Sequence, residues 1–387
     1  MRTLALVPRD GFFCKDGRGW HTSASGRGHG LDWPWPSTLL GALRSAWGRG
    51  EEGRVGEHFG PRQWVDRTRE IRLGRTLMLR RPLDAAWDGS HRVWPVPCDA
   101  LWTGDGLEAP VARLDPVPPA VPTLGRDDDG VRENLWRPVP EDAGKPARAP
   151  RYWGEADLVD WLTGQPAVAQ RRGGPLEISR RFQTHVAVAE EELTAADEAM
   201  FSHDVVETLE LRAEWAVGAE ASLPGDELPE AATLGSDSRI CRIEALPPTM
   251  FDAPKLLLDA FRTGSRGLRI IVVAPTCFRG GWLPDGFAVR GREYCGQLPG
   301  VAGEVALRAA FVPRPLCISG WDVAAGAPKP ASRMVAPGAV YFFERLDRKA
   351  FGDVDARSLW LAAMGARNDE GFGRVVPGAW SPRGSDQ

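Results

Sequence analysis

Six histidines, six cysteines, two glycine-rich loops and an arginine-dominated set of cations are the residues of this chain that could do chemistry. His21, His29, His58, His91, His185 and His203 form no HExxH or HxH pattern and no His/Cys cluster with ligand spacing, so no metal is expected. No GxSxG elbow and no Walker A loop occurs. His21, in KDGRGWHTS beside Arg18 and Trp20, is the one histidine placed for catalysis. Near basic groups it can serve as general base in metal-independent RNA cleavage, or it can stack on or hydrogen-bond a ligand. GFGR (371–374) is either a turn in which glycine supplies positive φ, or a backbone surface that approaches phosphates with Arg374 adding charge. GRGHG (26–30) follows polar loop sequence, not a strand, and is a weak nucleotide fingerprint. The cysteines (Cys14, Cys98, Cys241, Cys277, Cys295, Cys317) are scattered without a CxxC pair and read as reduced thiols of a cytoplasmic protein. No catalytic constellation, metal or cofactor is expected.

The elements that would carry these residues alternate between strand and helix. TLALV (3–7) is an apolar strand, and PSTLLGALRSAW (36–47) a helix with Ser37 as N-cap and Gly41 for close packing. LELRAEWAV (209–217) alternates as a half-buried strand; GLRIIVVAP (267–275) and VYFFERL (340–346) are apolar strands. DARSLWLAAMG (355–365) is a helix capped by Asp355 and stopped by Gly365, followed by GFGR and a last strand around Val375–Val376. The stretch from about 84 to 175, with DPVPPAVP, Asp127-Asp128-Asp129 and RPVPEDAGKPARAP, reads as a Pro-rich insertion, loop or linker around one helix, GEADLVDWLTG (154–164). The pattern is α+β. No apolar run is long enough for a membrane span, and the N-terminus does not read as a secretory signal.

Charge is distributed unevenly. The chain of 387 residues has a net charge of −4, but residues 1–82 carry +7, 83–184 carry −4, 185–244 carry −12 and 245–387 carry +5. Two basic ends around an acidic middle suit a polyanion at the ends and a protein partner or solvent in the middle, or simply mixed solvated surface. Only five of the 48 cations are lysine; arginine suits phosphate and base stacking, although GC-rich codon usage gives the same excess. Tryptophan is abundant at 16 against Tyr 3. Trp47, Trp215 and Trp360 lie on apolar faces and read as core, while Trp20, Trp282 and Trp321 remain open to contact with RNA.

Several segments together resemble one family. VPRDGFFCKDGRGW (7–20), WPWPSTLLGALRSAWG (33–48), RFQTHVAVAEEELTAADEAMFS (181–202), TLGSDSRICRIEAL (233–246), APTCFRGGWLPDGF (274–287), ISGWDVAAGAPKPASRMVAPGAVYFFE (318–344) and GFGRVVPGAW (371–380) are similar, in order, to blocks of the Cmr subunit three family, RAMP proteins of type III-B CRISPR effectors. The chain departs from the family pattern at Leu234-Gly235-Ser236, Ala189, Arg9, Cys14 and Lys15. The resemblance implies tandem ferredoxin-like (RRM-like) RAMP domains: residues 1–190, with the long insertion, and 191–387, ending in the glycine-rich loop. It implies a non-catalytic, RNA-binding subunit that grips the 5′ handle of the crRNA and bridges the large polymerase-like subunit to a backbone subunit. The alternative is a RAMP-type endoribonuclease that processes repeat RNA with His21 as base. Expected RNA contacts are Arg9, Lys15, Arg18, Trp20 and His21 in the first loop and Ser37 and Arg44 on the first helix. Arg180, Arg181 and His185 follow, then Arg279, Trp282, Gly371, Gly373 and Arg374 in the second half.

Overall fold

A computed structural model describes residues 1–15, 27–28, 30–48, 61–102, 111–120, 131–140, 146–147, 149–164, 176–189, 191, 194–224, 228–236, 239–322 and 325–382. In chain order the first half gives β1 (Arg2–Pro8), α1 (Pro36–Gly48), β2 (Arg72–Pro82), β3 (Arg92–Pro95), β4 (Tyr152–Gly154), α2 (Glu155–Leu162), β5 (Arg180–Val188), β6 (Ala195–Val206), β7 (Ala213–Ser222), β8 (Ala231–Leu234) and β9 (Arg239–Ala245). Seven of these strands form one antiparallel sheet in the order β8-β9-β1-β7-β2-β3-β4, while β5 and β6 form a separate hairpin. The continuous apolar run of β1 has a structural cause. Leu4 and Leu6 face α1, where Leu39, Leu40 and Leu43 cover them, and Ala5 and Val7 face the opposite core. A strand buried on both faces cannot alternate.

The second half adds α3 (Lys255–Arg262), β10 (Gly267–Val272), β11 (Ala288–Arg290), β12 (Glu293–Gly296), β13 (Val305–Phe311), β14 (Leu316–Ile318), β15 (Trp321–Asp322), β16 (Ala327–Pro328), β17 (Ser332–Met334), β18 (Val340–Arg345), α4 (Asp353–Leu359), β19 (Ala362–Ala363) and β20 (Arg374–Trp380). A second seven-stranded antiparallel sheet runs β11-β12-β13-β18-β10-β20-β19. One apolar cluster joins the two sheets, with Ala5, Leu77 and Leu79 on one side and Ile270, Phe342 and Val376 on the other. The architecture is mixed α/β with mostly antiparallel sheets. β7 to β9 belong to the sheet built on β1, so the change of sheet follows Ala245, whereas the division implied by the resemblance lies at 190/191.

Four local expectations are corrected. The alternation over 209–217 marks a strand only from Ala213; before it the chain folds back, Glu210 N donating to Ala213 O at 2.8 Å, and Leu211 is 92% exposed. Leu211→Lys is therefore expected to change unfolding stability by no more than about 0.5 kcal/mol in a denaturant titration. Ser37 is not the cap of α1: the helix begins at Pro36, and the Trp35 carbonyl accepts from Thr38 N at 2.9 Å. A side chain at Gly41 would meet nothing within 4 Å, so close packing does not require glycine there. The last helix is shorter than expected, and Asp355 is its third residue, taking the Gly352 N–H at 2.8 Å and the Arg345 guanidinium at 2.9 Å.

The largest correction concerns 84–175. Where it is described, this stretch is not a linker. β3 and β4 form an edge of the first sheet, and Ala100–Trp102, Val111–Val117 and Arg137–Pro140 form a small sheet of their own. Trp94, Trp102, Trp153 and Trp161 are almost fully buried. The proline content misled because four indoles supply the core that prolines cannot. Among the described residues, no helix is long and apolar enough to cross a membrane.

Candidate functional site

The start of α1, the glycine-rich loop and the β14–β17 ribbon meet where the two sheets adjoin. Phe372, fully buried at the centre of the loop, packs on Ile318 of β14 and Met334 of β17, with Trp35, Cys277 and Leu316 around them. Gly371 (φ +91°) brings the loop against α1 and β2: a Cβ there would stand 3.1 Å from both Pro36 Cβ and Thr76 Cγ2. Gly373 (φ +79°) donates to Pro275 O at 3.0 Å and accepts from Met364 N at 2.8 Å. Leu73 N donates to Asp369 O at 2.8 Å, tying β2 to the loop. Arg367 grips Glu370 through two hydrogen bonds of 2.8 and 2.7 Å and lies over the Phe372 ring at 4.7 Å. The loop is thus cross-braced on both sheets, and its glycines are required by positive φ and by neighbours too close for a side chain.

A groove of about 850 Å³ opens beside this junction. Trp33, Trp35, Pro95, Pro97, Tyr152 and Pro337 are among its walls, and Asp32 and Arg151 stand on its rim. Arg151 and Arg180 both pair with Asp32, so the start of the β5–β6 hairpin is anchored at the groove. The Trp35 Nε1 and Ser37 Oγ atoms are buried without a hydrogen-bond partner among the described residues. A wide apolar cleft with indole walls can hold flat, partly polar groups such as nucleobases.

The structure distributes the expected contact residues unevenly. Ser37, Arg44, Gly371, Gly373 and Arg374 converge at the junction. Arg44 and Arg374 are turned to internal work: Arg44 donates to Ile71 O at 3.2 Å, and Arg374, 8% exposed, donates to Asn368 O at 2.8 Å. Burial pulls the Arg374 guanidinium down to about 10, against the pull of Glu220. Burial lowers Arg44 as well, opposed by Glu370 and Asp369. Arg9 is exposed at the end of β1, and Lys15 bridges to Gly30. Arg181 pairs with Glu207 at 2.6 Å. His185 lies near-parallel to both Phe201 and His203, with ring centroids 5.2 and 4.8 Å away. Arg279 is exposed, and Trp282 packs edge-on against Tyr294, with Arg132 over its ring at 5.8 Å. Arg18, Trp20 and His21 lie outside the described residues.

The groove walls at Trp33, Trp35, Arg151 and Tyr152 were not singled out in the sequence. The repeated Trp-Pro of WPWPS was a usable signal, because stiff proline beside indole makes a shaped surface. Arg151 and Tyr152 were hidden in a segment read as linker. Among the described residues, no group of three His, Cys, Asp or Glu side chains is arranged to hold a metal. Cys98, at the groove, is pushed up to about 11 by burial and by neighbouring Asp99, so it stays a thiol at neutral pH.

No curated protein matches this chain. Among solved structures, it is similar to a chain of a cryo-EM structure of type III-B Cmr-beta bound to cognate target RNA and AMPPnP, at 9% identity and a TM-score of 0.42, over 88% of this chain and 86% of that one. A second cryo-EM structure, type III-B Cmr-beta bound to cognate target RNA, gives 10% identity and a TM-score of 0.38 over the same shares. The seven sequence blocks have their counterpart in a match of residues 4–380 to the family described as CRISPR-associated protein (Cas_Cmr3), and the chain belongs to that family.

Proposed function

We propose that this chain is a non-catalytic, RNA-binding subunit of a type III-B CRISPR effector complex. It caps the 5′ handle of the crRNA and bridges the large polymerase-like subunit to a backbone subunit. The observation that carries this reading is the convergence of the α1 start, the glycine-rich loop and the indole-walled groove at one junction. Family membership supports it. In this reading each seven-stranded sheet is the elaborated core of one ferredoxin-like RAMP domain, and single-stranded handle nucleotides run along their junction with bases turned out and stacked. Exposed Arg9 and Arg279, Arg180 at the groove rim and Arg18 of the first loop are the phosphate contacts. Arg44 and Arg374 hold the loop that the RNA meets.

Fluorescence anisotropy with a labelled RNA carrying the repeat-derived handle tests this. Binding is expected without cleavage in the presence of a chelator. Arg18→Ala should weaken it about tenfold and flatten the salt dependence, the slope of log K against log salt falling by about 0.7 for one lost single-strand phosphate contact. Cleavage abolished by His21→Ala would instead identify a repeat-processing endoribonuclease. Absence of handle binding by both the chain and its reconstituted complex would sink the RNA-binding reading.

A further inference from the structure

Fifteen of the sixteen tryptophans fall in the described residues; fourteen are buried or half-buried, and Trp321 alone is exposed, at 61%. It sits on a short two-stranded ribbon. β15 pairs with β16, placing Trp321 opposite Pro328. The base of the hairpin is pinned by Lys329 N donating to Gly320 O at 2.8 Å and Ser319 Oγ donating to Lys329 O at 2.8 Å. Ala325 N donates to Asp322 Oδ1 at 3.0 Å. Below it, the β14–β17 pairing buries Ile318 and Met334 against Phe372 and leaves Cys317 and Arg333 on the open side. Among the described residues, the Trp321 ring meets no other ring and no guanidinium.

Two kinds of partner can want an exposed indole. A protein interface surrounds it with other apolar side chains and buries them together. Among the described residues between 312 and 334, Trp321 is the single exposed large apolar one. The charged groups of that stretch are Arg314, Lys329 and Arg333 against one acid, Asp322, whose carboxylate accepts from Ala325 N. An exposed aromatic face in a stretch with three cations and one acid fits a flat ring on a polyanionic strand. Leu316 and Cys317 of the neighbouring β14–β17 pairing line the groove, and Trp321 follows Cys317 by four residues.

We propose that Trp321 is a stacking platform for one unpaired base of a single-stranded RNA. The site rests on the RNA-binding reading and adds a named residue and ligand class to it. The base lies flat on the indole, Arg333 and Arg314 attract the neighbouring phosphates, and recognition tolerates any base because stacking does.

The test is anisotropy of the full chain with the labelled handle RNA, comparing wild type, Trp321→Ala, Trp321→Phe and Trp321→Leu. Alanine should raise Kd roughly 5- to 100-fold. Phenylalanine should keep Kd within about threefold of wild type, and leucine should resemble alanine, because stacking needs a π face rather than apolar area. The salt slope should stay unchanged in all three, whereas Arg333→Ala should lower it by about 0.7. An unchanged melting temperature is expected, since Trp321 lies outside the core. If wild type binds and Trp321→Ala binds equally well, the stacking site is overturned while the RNA-binding reading stands. If Trp321→Ala keeps RNA but loses co-purification with the other effector subunits, the indole serves a protein contact and the proposal is wrong. Wild type that binds no handle RNA overturns the wider reading and this site with it.

Discussion

Asp99→Asn is expected to remove about 3–5 kcal/mol of unfolding stability, a large part of what a folded chain usually has. Asp99 and Arg269 form an ion pair at 2.8 Å with side chains 0% and 1% exposed. Asp99 also accepts from Trp161 Nε1 at 2.9 Å, and Arg269 donates to Asp99 and to the Trp161 carbonyl. Asp99 and Trp161 (the latter on α2) come from the 84–175 stretch and Arg269 from β10 of the second sheet, so this pair clamps the stretch onto the second sheet. Asparagine keeps the shape and can still accept from the indole. It leaves the guanidinium buried without its counter-ion, and the Trp161 carbonyl that remains as an acceptor is neutral and does not offset that desolvation cost. Arg269→Met should cost less, since a carboxylate can protonate where a guanidinium cannot release its proton. The double variant Asp99→Leu, Arg269→Met should lie closest to wild type, because an apolar pair of similar volume carries no charge to bury. Chemical denaturation monitored by the many indoles measures all three. A loss below about 1 kcal/mol for Asp99→Asn would show that the pair does not hold the stretch in place.

Much of the frame was legible because it depends on local rules. The strand at 3–7, the α1 face, the helix at 154–164, the strands beginning at Gly267 and Val340 and the terminal strand all follow from apolar runs bounded by Gly and Pro. The charge pattern was legible too, but its meaning was not. Arg75, Arg80 and Arg81 of the basic N-terminal part pair with Glu220, Glu210 and Glu214 of the acidic middle at 2.5–2.7 Å. β2 lies beside β7, so a segment of +7 and one of −12 are partly each other's counter-ions. Segment sums cannot reveal this, because strand pairing joins residues more than a hundred positions apart. The same limit hid Arg374 and Arg269. Arginine in sequence advertises a surface cation, and only the fold shows that one braces a loop and the other is sealed in the core.

The site was legible as pieces. WPWPST, ISGWD and GFGR each carried a signal, and the fold assembles them around Phe372, a residue that no functional argument would have selected. A packing residue is what turns three loops into one surface, and its position depends on glycines that tolerate left-handed backbone.

Gly373→Ala isolates that dependence, and it is expected to cost about 2–5 kcal/mol and to reduce handle binding at least tenfold. The cost has two parts. A non-glycine residue held at φ +79° pays backbone strain of about 1–3 kcal/mol. The added Cβ would also stand 2.1 Å from the Met364 carbonyl oxygen and 2.9 Å from Asn368 Oδ1, contacts that force the loop to move or the β19 end to yield. Either movement strains the Gly373–Pro275 and Met364–Gly373 hydrogen bonds and withdraws Phe372 from Ile318 and Met334, so the surface between α1 and the ribbon loses its support. Gly281→Ala is the control. Gly281 has nearly the same backbone conformation, φ +77°, and an added Cβ meets nothing within 4 Å, so it reports strain alone, about 1–3 kcal/mol. The difference between the two variants in a denaturant titration is the contribution of the close approach. Handle affinity, measured under conditions where both variants remain folded, should fall only for Gly373→Ala. Equal stabilities and equal affinities for the two variants would mean that the loop is not the brace of the junction.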